Sequence, residues 1–122
     1  MNAFNDIYRN KNVLVTGHTG FKGAWLSLWL STLGANVTGF SKSVPTEPSN
    51  FVASNLKESI NNVEGDILDF ELLGKILELE QPDFIFHLAA QSLVKESYVN
   101  PMNTWNTNTI GTLTLLEAVR QS

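Results

Sequence analysis

The sequence predicts an α/β fold in which the strands of a parallel sheet alternate with helices. Three observations carry that expectation. Short runs such as Val13-Leu14-Val15 and Phe84-Ile85-Phe86 are apolar without polar alternation, as strands covered on both faces must be. Between such runs lie segments of helical spacing that end in stop signals, among them Gly34 and Gln81-Pro82. The first apolar run breaks into Gly17, Gly20 and Gly23 and passes directly into an apolar helix.

The elements follow in order. Residues 12–17 form the first strand, and residues 20–33 a helix stopped by Gly34 in the C′ position. That helix is apolar around most of its circumference, which predicts contact with more than one layer of protein. Residues 36–41 form the second strand. The stretch 42–55 carries Pro45, Pro48 and several Ser and Asn, and reads as a loop. A short third strand covers 61–65. Asp69 caps a helix over 70–80 that Gln81-Pro82 ends, and 83–88 form the fourth strand. Asn100-Pro101 opens a long final helix with apolar positions at Trp105, Ile110, Leu113, Leu116 and Val119. Right-handed crossovers then give strand order 3-2-1-4, the first half of a doubly wound sheet.

Composition narrows the function. The 122 residues are expected to form one domain, short for an enzyme that must also enclose a large substrate. With 43% hydrophobic and 16% charged residues the chain is globular rather than disordered. A net charge of −4 provides no footprint for nucleic acid or for an anionic membrane. Zero cysteines rule out disulfides and thiolate metal sites and suit a reducing compartment. No basic-then-apolar signal opens the chain and no apolar run reaches the length of a membrane span, so a cytoplasmic location is expected.

The glycines define the chemistry. Gly17 permits a sharp turn out of the strand, Gly20 keeps side chains out of the path of phosphates, and Gly23 lets the helix pack closely on the strand behind it. The N–H groups of the first helical turn then face an anion, which is how a dinucleotide pyrophosphate is held. The second strand ends in Ser41-Lys42, where an NAD-selective site would place an acid. A hydroxyl and an ammonium could accept a 2′-phosphate, or could form a plain solvated turn, so NAD and NADP both stay open on this ground.

Other constellations fail. Phe21-Lys22-Gly23-Ala24 is not a Walker loop, and His18 and His87 are the only histidines, so no metal site is expected. His87 closes a strand and reads as a satisfied core histidine. The Tyr-x-x-x-Lys pair is absent, since Tyr8 has Asn12 and Tyr98 has Met102 four residues on. No catalytic acid–base set is visible, and no catalytic residue is assigned.

Taken together, Thr16-Gly17-His18-Thr19-Gly20-Phe21-Lys22-Gly23, Gly65-Asp66-Ile67, His87-Leu88-Ala89-Ala90-Gln91 and Asn108-Thr109-Ile110-Gly111-Thr112 fall in an order that resembles the extended short-chain dehydrogenase/reductases. The Gly-His-Thr-Gly-Phe-Lys-Gly run, the Pro-Thr-x-Pro at 45–48 and Ala-Ala-Gln-x-Leu-Val at 89–94 are similar to the CDP-glucose 4,6-dehydratase subgroup. The resemblance covers nearly the whole chain and implies a Rossmann-type domain with NAD as cofactor.

It also implies roles for particular residues. Gly17, Thr19, Gly20, Phe21, Lys22 and Gly23 would hold the pyrophosphate. Ser41 and Lys42 would lie near the adenosine ribose, and Asp66 and Ile67 at adenine. Leu88, Ala89, Ala90 and Gln91 would line the ribose and nicotinamide, with Thr107 nearby. Ser92 would touch the nucleotide-sugar substrate, and Asn108, on the substrate side, would position the active-site helix. Such dehydratases oxidise the sugar C4 hydroxyl, eliminate water across C5–C6 and return hydride to C6, with groups that would lie beyond Ser122. The chain is therefore expected to be an inactive N-terminal portion of a longer enzyme that pairs as a homodimer through its final helix. An epimerase or reductase of the same extended type, and a non-catalytic dinucleotide-binding module, are the competing readings.

Overall fold

The computed structural model describes residues 3–42 and 49–122. Its centre is a four-stranded parallel sheet of β1 (Asn12–Thr16), β2 (Asn36–Ser41), β3 (Asn61–Glu64) and β4 (Phe84–His87), in the order β3-β2-β1-β4. The expected order 3-2-1-4 is the observed one. β1 lies inside because its apolar run needs cover on both faces, and Val13, Leu14 and Val15 are at most 1% exposed. Successive side chains point to opposite sides of the sheet. Leu14 enters a core with Phe40, Leu73, Leu77, Leu115 and Ala118, whereas Val13 and Val15 pack with Leu30 and Val37.

Helices cover both faces: α1 (Phe21–Thr32), α2 (Asn50–Ala53), α3 (Phe70–Glu80), α4 (Val94–Val99), α5 (Pro101–Trp105) and α6 (Gly111–Gln121). Gly34 ends α1 with φ +91, and the N–H groups of Gly34 and Ala35 donate to the carbonyls of Ser31 and Leu30, both at 3.1 Å. This doubly bonded left-handed stop needs glycine for its φ. The Asp69 side chain accepts from the Leu72 N–H at 3.1 Å and caps α3 as expected. Asn12 and Asp83 clamp the starts of β1 and β4. The Asn12 N–H donates to the Asp83 carboxylate at 2.9 Å, and the Asp83 N–H donates to the Asn12 carbonyl at 2.6 Å.

The structure departs from the expectations in four places. Asn50–Ala53 is helical rather than loop, because the Ser49 hydroxyl accepts from the Val52 N–H and Phe51 buries itself against Ala24 and Leu56. The Pro-Thr-x-Pro at 45–48 lies outside the described residues. The final helix is not one α-helix: α5 passes through a π-helical turn, Asn106–Ile110, into α6, and α4 precedes it where no element was expected. The buried face of α6 is Gly111, Leu115 and Ala118, while Ile110, Leu113, Leu116 and Val119 stay 39–61% exposed. Finally, α1 buries only Gly23, Ala24, Ser27 and Leu30, on the sheet and beside α2. Its stripe of Phe21, Trp25 and Trp29 is more than half exposed, so no second layer covers that side among the described residues.

Two glycines inside regular elements predict opposite outcomes. A Cβ added at Gly74, within α3, meets nothing within 4 Å. Gly74→Ala should therefore raise stability by about 0.5–1 kcal/mol through helix propensity. A Cβ at Gly39 overlaps the buried ring of His18, so Gly39→Ala should cost about 1–3 kcal/mol by overpacking. Urea unfolding of the two variants beside wild type measures both signs.

Candidate functional site

The carboxyl ends of β1, β2 and β4 carry nearly every residue singled out from the sequence. Gly17 leaves β1 at φ +77, where a Cβ would stand 2.7 Å from the Ala89 nitrogen and the Leu88 carbonyl carbon. Its N–H donates to the Phe40 carbonyl at 2.8 Å, which ties the turn to β2. A Cβ on Gly23 would overlap the Gly17 carbonyl, so α1 can begin this close to the strand only with glycine there. Gly20 differs. Its backbone is extended (φ −74, ψ 170), and the one protein atom near an added Cβ is the Gly17 oxygen at 3.4 Å. The fold itself does not require glycine at this position. No side chain caps α1 and no acid stands in its first turn, which leaves the positive end of the helix and the N–H groups around Phe21 and Lys22 available to an anion.

Beside this turn, the Thr19 and Ser41 hydroxyls lie 2.7 Å apart, so the end of β2 is fastened to the glycine loop. Lys42 and Asp66 form an exposed ion pair at 3.6 Å. Asp66 also accepts from the Leu68 N–H at 3.0 Å, while Asp69 performs the helix cap. Ile67 is only 5% exposed and belongs to the core, against the space that Gly111 leaves open.

The third part is the end of β4. Leu88 and Ala89 are half-buried, with both N–H groups donating to the Thr16 hydroxyl at 3.1 and 3.2 Å. The His87 ring bridges Thr16 Oγ1 (2.6 Å from Nδ1) and Thr112 Oγ1 (3.1 Å from Nε2), so it is a satisfied histidine as expected. Asn108, on the π turn, accepts from the Gln91 N–H at 2.6 Å and donates to the Gln91 carbonyl at 2.9 Å. Both ends of its amide thus hold the main chain of Gln91, the work of a positioning residue. The Gln91 side chain donates to Thr104 Oγ1 and to the Leu93 carbonyl at 3.0 and 3.1 Å. Thr107 is half-buried on the π turn, whereas Ala90 and Ser92 are exposed.

Sequence reasoning missed Thr16, Thr112 and the fully buried His18. The His18 ring sits 2.6 Å from the Asn62 amide oxygen and edge-on to Phe51. A recess of about 850 Å³ between α3 and α6, lined by Leu77, Ile85 and Ala118 among others, contains none of the predicted site residues. Among the described residues no cluster of acids and histidines could hold a metal, and no helix is long and apolar enough to cross a membrane.

Residues 14–122 match the family described as GDP-mannose 4,6 dehydratase. The chain belongs to that family. A CDP-glucose 4,6-dehydratase of Salmonella typhimurium is 47% identical over 116 residues, 95% of this chain and 32% of that protein. An epimerase from Methanothermobacter thermautotrophicus superposes with a TM-score of 0.79 at 34% identity, covering 95% of this chain and 33% of its own. A UDP-glucose 4-epimerase from Brucella ovis, solved in complex with NAD, superposes with a TM-score of 0.78 at 32% identity, covering 91% and 32%. This member of the family thus spans about a third of the length of these relatives.

Burial pushes the imidazoles of His18 and His87 below their ordinary value; for His18, the hydrogen bond with Asn62 opposes the shift. The unfolded chain, with ordinary histidines, therefore binds more protons than the native one as pH falls through 6.5. Stability rises with pH wherever the unfolded state binds more protons. The denaturant midpoint should accordingly fall as pH is lowered from about 7.5 to about 5.5, the range that spans the ordinary histidine pKa. NMR titration should place both imidazole pKa values below 6.5.

Proposed function

We propose that this chain is the dinucleotide-binding portion of a nucleotide-sugar 4,6-dehydratase, with NAD as cofactor and CDP-glucose as the substrate of the whole protein. The observation that carries the reading is Gly20, a glycine that the fold does not need and that opens the approach to the first turn of α1. The residues fit the cofactor. N–H groups from Thr19 to Gly23 would hold the pyrophosphate, with the Lys22 charge beside it. Ser41 and Lys42 would face the adenosine ribose. Asp66 already neutralises Lys42, which supports NAD over a cofactor bearing a 2′-phosphate. The small side chains of Ala89 and Ala90, with Leu88, Gln91 and Thr107, would let the nicotinamide half lie across the strand ends. Ser92 would face the nucleotide sugar, while Asn108 acts through Gln91. Bound NAD would supply the hydride acceptor and donor for the internal oxidation, elimination and reduction of the sugar. No acid–base set accompanies the site among the described residues, so the reacting groups would come from the remainder of a longer protein, paired through the exposed stripe of α6.

Calorimetric titration tests the cofactor assignment. Gly20→Val should weaken NAD binding tenfold or more, roughly 1.4 kcal/mol, with the fold retained by circular dichroism. Equal affinities would overturn the pyrophosphate assignment. Asp66→Asn releases the Lys42 ammonium and should raise the affinity for NADP relative to NAD in the same titration. The substrate is tested by product: the chain alone should form no 4-keto sugar from CDP-glucose and NAD. A full-length protein that epimerises the sugar instead would identify the competing epimerase reading.

A further inference from the structure

The hydrogen bonds around His87 leave room for one arrangement of protons. The Thr16 hydroxyl accepts the Ala89 N–H at 3.2 Å and shares the Leu88 N–H, at 3.1 Å, with the Thr16 carbonyl, at 3.0 Å. Its lone pairs thus face two donors, and its single proton is left for His87 Nδ1 at 2.6 Å. Nδ1 therefore accepts, and the proton of the neutral ring stands on Nε2. That N–H donates to Thr112 Oγ1 at 3.1 Å. The Thr112 hydroxyl passes its own proton to the Asn108 carbonyl at 2.8 Å. Asn108 then clamps the main chain of Gln91 in both directions. Four residues drawn from β1, β4, α6 and the π turn form one directed chain, and the side chain of its last member, Asn108, holds Gln91.

We propose that His87 is a positioning residue whose Nε2–H tautomer sets the spacing between the glycine turn and the Leu88–Gln91 strand end. Resting on the dinucleotide reading, that spacing governs how the pyrophosphate and nicotinamide halves of the cofactor are held together. A charged ring would carry its second proton on Nδ1 and leave the Thr16 hydroxyl with more donors than it can accept. Burial of His87 works in the same direction, against the charged form. An isolated core histidine, by contrast, would have no effect at Gln91.

The test combines a spectroscopic readout with a binding readout. Long-range ¹⁵N–¹H correlation of the wild-type chain should show His87 as the Nε2–H tautomer; an Nδ1–H tautomer overturns the proposal. Thr112→Val keeps the shape and removes the acceptor. The variant should keep the Nε2–H tautomer, which Thr16 fixes, but shift the amide resonances of both Gly17 and Gln91. It should also weaken NAD binding about fivefold, the loss expected for one hydrogen bond. Thr112→Ser should restore both signals. Amide resonances of Gly17 and Gln91 left unchanged in Thr112→Val would overturn the coupling whatever happens to NAD. If wild type binds no NAD, the cofactor reading fails while the tautomer and amide shifts still decide the coupling. Thr112→Ala, which adds no bulk, answers the same question if the valine variant does not fold.

Discussion

The close approach of α1 to β1 is the constraint on which the rest of the structure depends. Gly23 rests against the Gly17 carbonyl at a separation that forbids any side chain. That contact brings the positive end of α1 over the end of the sheet, where Phe40 and Ser41 on β2 and Leu88 and Ala89 beyond β4 gather around it. Moving α1 outward by one methyl group would separate the helix end from the strand ends it serves. The glycines thus have different causes. Gly17 and Gly23 are demanded by the protein's own packing, whereas a Cβ on Gly20 would meet only the Gly17 oxygen, at 3.4 Å.

Much of the architecture was legible because the deciding interactions are local. The Asp69 cap closes within three residues, the Gly34 stop within four, and the two-sided apolar runs identify strands without reference to any partner. The strand order followed from the handedness of crossovers. The misses share the opposite property. Phe51 makes a helix of Asn50–Ala53 only because Ala24 and Leu56 receive its ring, and nothing in the surrounding Pro, Ser and Asn announces that. His87 finds Thr16 across 71 residues and Thr112 across 25, so its partners could not be read from spacing.

Charge near the site is arranged with little waste. The first turn of α1 carries no acid, and the nearest carboxylate partner of Lys42 is Asp66, across the end of β2. Both groups are exposed, so their attraction is modest and screened by salt. Its consequence lies in occupancy rather than strength: an ammonium already facing a carboxylate has less to offer a dianion. The two histidines make the complementary point, since burial disfavours the charged form of each and each ring ties the end of one strand to a neighbouring element.

The π turn at Asn106–Ile110 divides the last helix into two phases. An α-helix advances about 100° per residue, so one extra residue in a single turn rotates everything downstream by about that angle. Upstream, Thr104 and Asn108 are phased toward Gln91; downstream, Gly111, Leu115 and Ala118 are phased toward the sheet. A strictly regular helix could satisfy one set or the other. Removing a single residue other than Asn108 from this turn would let it close as a regular α turn and leave both faces in place. The irregularity therefore acts as a gear between two surfaces, and it is the one stretch of this helix where a one-residue deletion would be absorbed without turning α6 on the sheet.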